Sequence, residues 1–387
     1  VSVNELLSAV LKEAADAIEG KLTLGTMKVG LTLNRNETGP RALLEAARMA
    51  TEKEPRLEVL LIGPEVEGLK DYLGDGVKHY PTGPEDRDIH ETMEKLLQKG
   101  TIDAAVTMHY NFPLGTATVG RVITPGLGRE MFLATTTGTM AADRVEAMVK
   151  AAIAGIAAAK ACGISNPRVG ILNLDGARAC ERSLQRLKER GYNITFAESI
   201  RKDGGFIMRG NDLLAGAADV MVTDSLTGNV LMKVFSAYTT GGNYESLGYG
   251  YGPGLGETYN YVVCIVSRAS GTPVVAGALL YAAQAARGKV VEVFKKEMQA
   301  AKAAGLEELF VKEAAPEAAA EVTPPPAKAV EEEIPGIDVL ELENAVKALW
   351  AAGIYAESGM GCTGPVALVA REDKERAIEI LKEKGYL

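Results

Sequence analysis

The chain reads as an α/β protein: a largely parallel sheet covered by helices on both faces, in three layers, with a small α/β module at its C-terminal end. Three observations predict this. Short apolar runs alternate with amphipathic helical stretches through most of the chain. The composition favours small and aliphatic residues, with 42 glycines among 387 residues, 47% hydrophobic and only 5% aromatic. Late in the chain an Ala/Pro/Glu tract interrupts the pattern, and helix and strand signals resume after it.

The elements follow in order. VSVNELLSAVLKEAADAIEG has an amphipathic helical pattern broken by Glu, Lys and Asp, so no signal peptide is expected there. MKVGLTLN predicts a buried strand, and GPRALLEAARMATEK the helix after it. RLEVLLIG predicts a second strand. GTIDAAVTMHY carries a third, followed by a Gly/Thr-rich loop. EMFLATTTGTM predicts another strand, with the Ala-rich helix MVKAAIAGIAAAKACG behind it. PRVGILNLDG is a strand running into the helix ARACERSLQRLKERGY. NITFAESI predicts the next strand, and ADVMVTDSLTGNVLMKVFSAY a strand, a tight loop and a helix. TTGGNYESLGYGYGPGLGETYN is expected to be an irregular loop that covers a pocket or meets a partner, because glycine permits positive φ. It has neither G-x-G-x-x-G offsets nor a Walker lysine. YVVCIV is an apolar strand.

The tract KEAAPEAAAEVTPPPAKAVEEEIP, residues 312–335, reads as a linker, extended around its prolines and self-repelling around its glutamates. It separates a body at 1–311 from a module at 336–387. In the module, GIDVLELENAVKALWAAG predicts a helix, IYAESGMGCTGPVALVA a strand, turn and strand, and REDKERAIEILKEKGYL a charged helix. About fifty residues are marginal alone, so the module is expected to pack on the body or on a partner.

Charge and composition exclude several classes of function. The net charge is −9 with no basic stripe, which argues against nucleic acid. The Ala-rich helix falls short of the roughly 20 apolar residues that a bilayer requires, so no membrane association is expected and cytosol is the expected location. The four cysteines, Cys162, Cys180, Cys264 and Cys362, form no CxxC pair, and the three histidines form no HExxH. No structural metal, disulfide framework or cofactor is expected. Cys162, Cys180 and Cys264 lie in helix and strand patterns and read as core residues.

Cys362 is different, because it sits in the run SGMGCTGP. Gly359, Gly361 and Gly364 let the backbone turn tightly and aim N–H groups at one point, where the oxyanion of a tetrahedral intermediate could be received. Thr363 could donate a further hydrogen bond. A plain hairpin turn with an incidental cysteine explains the same residues. No histidine in the module could serve as a base, which argues against a Cys/His hydrolase and less against a thioester carrier.

Two loops at strand ends are candidates for a ligand crevice. One holds Asn173, Asp175 and Gly176; the other holds Asp224, Ser225, Gly228 and Asn229. Ligands in parallel sheets bind where loops leave the C-terminal strand ends. The same residue types are what any helix N-cap prefers, so either loop could serve the fold alone.

NPRVGILNLDG and, further on, LLAGAADVMVTDSLTGNVLMK resemble the phosphate acyltransferase (PlsX) family of phospholipid synthesis, over roughly residues 27–296. This resemblance implies a fold like that of isocitrate and isopropylmalate dehydrogenases, and formation of acyl phosphates from acyl thioesters and phosphate. The body, linker and GMGCTGPVALVA tail together are similar to the alpha subunits of component C of glycine/sarcosine/betaine reductase complexes. That similarity implies acetyl phosphate formation in amino-acid fermentation. It also implies a ketoacyl-synthase-like beta subunit and the selenoprotein component A as partners in a hetero-oligomer, with Cys362 as the acetyl carrier. Phosphate would sit near Asn173, Asp175, Asp224, Ser225, Gly228 and Asn229, held by backbone N–H groups at helix N-termini. Asp175 and Asp224 would orient loops rather than touch phosphate, since like charges repel. Two other readings remain open: a stand-alone acyl-carrier-protein:phosphate acyltransferase, and a non-catalytic subunit whose module is only an acetyl handle.

Overall fold

The computed structural model describes residues 25–74, 76–201, 204–310, 322–338, 341–361 and 364–387. The N-terminal helical pattern and most of the linker's first half lie outside them. The body alternates strand and helix: β1 (Met27–Thr32), α1 (Pro40–Lys53), β2 (Leu57–Gly63), β3 (Val77–Pro81), α2 (Asp86–Gln98), β4 (Ala104–Thr107), β5 (Thr116–Ile123), β6 (Glu130–Gly138) and α3 (Arg144–Ala161). It continues with β7 (Arg168–Leu172), α4 (Ala177–Glu189), β8 (Thr195–Phe196), β9 (Ile207–Met208), α5 (Gly210–Ala215), β10 (Val220–Val222), α6 (Ser225–Ala237), β11 (Gly252–Gly256), β12 (Val263–Ile265), α7 (Thr272–Arg287) and α8 (Val290–Ala303).

These strands form one 12-stranded sheet in the order β3-β2-β1-β4-β12-β11-β5-β6-β10-β7-β8, with β9 also paired to β7. β1, β2, β3, β4 and β12 run parallel to one another, as do β6, β7, β8, β9 and β10. Between the two parallel groups, β11 and β5 pair antiparallel to their neighbours. Helices cover both faces, as expected. On one face Val29, Leu31, Phe132, Ala134 and Val220 pack with α1, α3, α7 and α8. On the other, Met131, Leu133 and Met221 pack with Met232 and Phe235 of α6, while Ile62 and Val263 pack with α2. Adjacent strand residues thus go to opposite layers.

Three expectations need correction. The Gly/Thr-rich loop after Tyr110 contains β5, whose Thr118 is fully buried and bonds Thr136 Oγ1 at 2.7 Å and Thr137 Oγ1 at 2.9 Å. Threonines that satisfy one another inside a sheet look like loop residues in sequence. The Gly-rich stretch expected to be irregular contains β11, buried at all five positions. A Cβ on Gly252 would fall 1.7 Å from the Val119 carbonyl, so close backbone approach explains the glycine. The strand predicted from NITFAESI is only the two residues of β8, and β3 and α2 carried signals too mixed to be read.

In the module, β13 (Glu332–Pro335), α9 (Leu342–Ala351), β14 (Ala356–Gly361), β15 (Gly364–Val369) and α10 (Lys374–Glu383) build a three-stranded antiparallel sheet with two helices. It has its own core, including Ile334, Val346, Leu349, Ala367, Val369 and Leu381. The tail of the expected linker is therefore not loose chain but a packed strand. β13 pairs with β15, and Ile334 is 2% exposed opposite Ala367. The module lies beside α4: Asp338 acts on Arg182, and a Cβ on Gly385 would lie 3.9 Å from Arg186. Burial pulls the Arg182 pKa below its usual value, while Asp338 of the module pushes it back up.

Candidate active site

The loop after β4, the loops after β1 and β12, and α6 converge on a cavity of about 420 Å³. His109, Lys233, Arg268, Asn229 and Glu37 line it, so cationic groups predominate. His109, two residues beyond β4, has φ 50, a backbone region that costs energy for most residues other than glycine and that clusters at functional sites. The loops after β1 and β12 are joined by Glu37 N–H donating to the Arg268 carbonyl at 2.9 Å.

Lys233 is the best-positioned cation. Its Nζ lies 3.8 Å from the Glu245 carboxylate and 5.6 Å from the centre of the Tyr251 ring. Glu245 is only 2% exposed and is held by Tyr251 Oη at 2.8 Å and Ser270 Oγ at 2.6 Å. Burial, and then the neighbouring Glu245 charge, push the Tyr251 phenol well above its ordinary pKa, so it remains a donor. Lys233 itself is 55% exposed, free to meet an anion in the cavity.

A smaller cavity of about 220 Å³ adjoins the end of β6 and the start of α6. Thr135, Gly138, Met140, Arg144, Asp224 and Ser225 line it. Asp224 is the N-cap of α6, accepting from Thr227 N at 2.8 Å and Thr227 Oγ1 at 3.1 Å. Arg144, the first residue of α3, stands 3.5 Å from Asp175 and 3.9 Å from Asp224. Arg144 thus brings the two predicted loops together, and both aspartates are engaged in holding structure.

The candidates separate as follows. Asp224 and Ser225 line the smaller cavity and Asn229 the larger one, with Asn229 Nδ2 donating to the Thr136 carbonyl at 3.2 Å. Asn173 faces elsewhere, towards the module. Gly228 is buried under β6, where a Cβ would fall 1.8 Å from the Thr135 carbonyl. It serves α6 packing, and Gly228→Ala is expected to destabilise the fold by about 3 kcal/mol; thermal unfolding of the variant measures it. Cys362 and Thr363 lie outside the described residues. Gly361 and Gly364, which flank them, pair directly across the antiparallel β14–β15 hairpin. Sequence reading missed His109, Lys233, Arg268 and Arg144. Lys233 alone had a local signal, as the last residue of the GNVLMK run.

A family model described as "Fatty acid synthesis protein" matches residues 27–368. The chain is 53% identical over 391 aligned residues to "Glycine/sarcosine/betaine reductase complex component C subunit alpha" of Peptoclostridium acidaminophilum, covering 100% of this chain and 99% of that one. It is 30% identical over 233 residues to "Phosphate acyltransferase" of Thermotoga maritima, covering 54% of this chain and 68% of that one. A solved 4-hydroxythreonine-4-phosphate dehydrogenase from Burkholderia phymatum aligns with 71% of this chain and 98% of its own, at 16% identity and a TM-score of 0.34. A full-length likeness at this identity, a family model spanning most of the body and module, and a cation-lined cleft at strand ends agree: the chain belongs to the fatty acid synthesis protein family, together with the component C alpha subunits of glycine/sarcosine/betaine reductase complexes.

Proposed function

We propose that the chain is the acetyl-transferring subunit of such a complex, passing an acetyl group from a protein thioester on Cys362 to phosphate. The body would have the isocitrate dehydrogenase-like architecture of the phosphate acyltransferases. The observation that carries the reading is the cleft: Lys233, seated on a buried Glu245 and Tyr251, beside Arg268, His109 and Asn229. Such a set binds a phosphate dianion and offers positive charge where a carbonyl oxygen becomes an oxyanion. Hydrogen phosphate attacks the thioester carbonyl. A C–O bond forms, the C–S bond breaks, and the proton carried by the phosphate goes to the departing sulfur. The products are acetyl phosphate and the free thiol. The balance needs no further reactant.

Arsenolysis tests this. Acetyl phosphate run backwards loads the thiol; arsenate then takes the acetyl group as acetyl arsenate, which hydrolyses. Acetyl phosphate is expected to disappear only when chain and arsenate are both present. Persistence of acetyl phosphate would sink the reading, and would favour the non-catalytic carrier.

Membership in a complex fits the surface of α6. Leu226, Val230, Val234 and Tyr238 are exposed at four-residue spacing along the helix that sends Asn229 and Lys233 into the cleft. A soluble chain working alone rarely leaves such a stripe uncovered. We assign this face to the ketoacyl-synthase-like beta subunit, with component A delivering the acetyl precursor to that subunit. No helix among the described residues is long and apolar enough to cross a membrane. Val234→Glu is expected to weaken co-purification with the beta subunit at least about tenfold, with arsenolysis by the isolated chain unchanged.

A further inference from the structure

Where the chain leaves β1 and β4 for the loops that line the larger cavity, polar side chains are buried together. Thr32, Asn34 and Thr107 are almost wholly covered, and burial of that kind is costly unless each group is bonded. Here the bonds run in one consistent direction. Asn34 Nδ2 donates to Asp86 Oδ1 of α2 at 2.6 Å, and Asn34 Oδ1 accepts from Thr107 Oγ1 at 3.3 Å. Thr107 Oγ1 in turn accepts from Thr32 Oγ1 at 2.7 Å and from His90 Nε2 at 3.0 Å. His90 Nε2 also stands 3.1 Å from the Met108 carbonyl, which can only accept, so this nitrogen holds the proton. The next residue is His109, at φ 50. A strained backbone persists only where its surroundings hold it, and α2 holds both neighbours. On one side His90 bonds the Met108 carbonyl. On the other, the Tyr110 ring meets the His90 ring edge-on with 5.7 Å between centres, and Tyr110 Oη donates to Glu94 Oε1 at 2.9 Å. Asp86, His90 and Glu94 recur every fourth residue, so one face of α2 presents all three anchors.

We infer that His90 is a positioning residue: by bonding the Met108 carbonyl it keeps His109 in the bent backbone that presents its imidazole to phosphate in the cleft. The inference rests on the proposed use of that cleft for phosphate. His109 lines the cavity with Lys233 and Arg268, whereas His90 does not, so the effect of His90 passes through its neighbours. A group ordered before the anion arrives spends no binding energy on being ordered. A misplacement of about 1 Å can cost on the order of a hundredfold.

The test pairs arsenolysis kinetics with NMR of the full chain labelled at histidine. His90→Leu is expected to raise KM for arsenate at least about tenfold. His90→Gln, whose amide nitrogen takes the place of Nε2, should stay within about threefold of the wild type. His109→Gln should raise KM as well, and adding His90→Leu to it should raise KM no further, because the two act as one unit. The chain has three histidines, so each ring signal is assigned by its own substitution. Phosphate should shift the His109 signal in the wild type at concentrations that leave it unmoved in His90→Leu. If His90→Leu fails to fold, Tyr110→Phe, which removes the anchor on Glu94, decides with a KM rise of several-fold. Four results would overturn the proposal: an unchanged KM in His90→Leu, no recovery with glutamine, additive effects of His90→Leu and His109→Gln, or the same phosphate-induced shift of His109 in His90→Leu. A wild-type chain whose His109 signal responds to phosphate but which consumes no acetyl phosphate would instead remove the transfer reading, and the NMR comparison would still decide the role of His90.

Discussion

A full chain carrying Cys362→Ala is expected to take up no label from radiolabelled acetyl phosphate, where the wild type takes up one acetyl group. The wild-type label should withstand acid and be released by neutral hydroxylamine, as a thioester is. The prediction is sharp because the other three thiols are poor competitors. Cys180 and Cys264 are wholly buried, and burial pushes both thiols well above the ordinary range. Burial also pushes Cys162 up to about 12, with the Arg121 charge only partly offsetting it. Near neutral pH all three are thiols rather than thiolates, and only the thiolate attacks an acyl group. Label found on any other cysteine, or retained in Cys362→Ala, would remove the thioester from the proposed mechanism.

Lys233→Gln is expected to lower the rate of acetyl phosphate formation by about 10²- to 10³-fold, the scale of losing one charged donor to a developing oxyanion. KM for phosphate should rise as well, because the same ammonium binds the dianion before it attacks. Acetyl uptake at Cys362 from a thioester donor supplied by the beta subunit should survive, since that step does not use phosphate. Lys233→Arg should recover part of the phosphate KM and less of the rate, because the longer fork keeps the charge but moves it off the seat made by Glu245 and Tyr251. Steady-state kinetics with phosphate varied separates these outcomes. A Lys233→Gln enzyme with unchanged KM and rate would move phosphate to the smaller cavity beside Arg144.

The alternation of strand and helix was legible because parallel strands buried on both faces leave continuous apolar runs, as in LEVLLIG and RVGIL. The antiparallel pair β5 and β11 was not, because its threonines and glycines owe their places to partners far away in sequence. Thr136 Oγ1 donates to the Tyr251 carbonyl across 115 positions, which no local pattern records. The site divides in the same way. Asp224 and Asp175 were visible as loop residues, and the suspicion that they orient structure agrees with their contacts to Thr227 and Arg144. Lys233, Arg268 and His109 come from three separate stretches, each unremarkable alone. Cys362 had the reverse fate: its run of glycines marked it in the sequence, while its position falls outside the described residues.

Strand β13 also sets how the thiol's encounters scale. It joins the module's sheet, and just before it Glu331 N–H donates to the Val369 carbonyl at 3.1 Å while Lys328 pairs with Glu372 and Asp373, so the chain belongs to the module from Lys328 onward. Being part of the same chain, the module meets its own body at an effective concentration on the order of millimolar. On the proposed mechanism, acetyl delivery to the cleft is then expected to be first order in the chain. Diluting the assembled complex should leave the transfer rate per molecule unchanged.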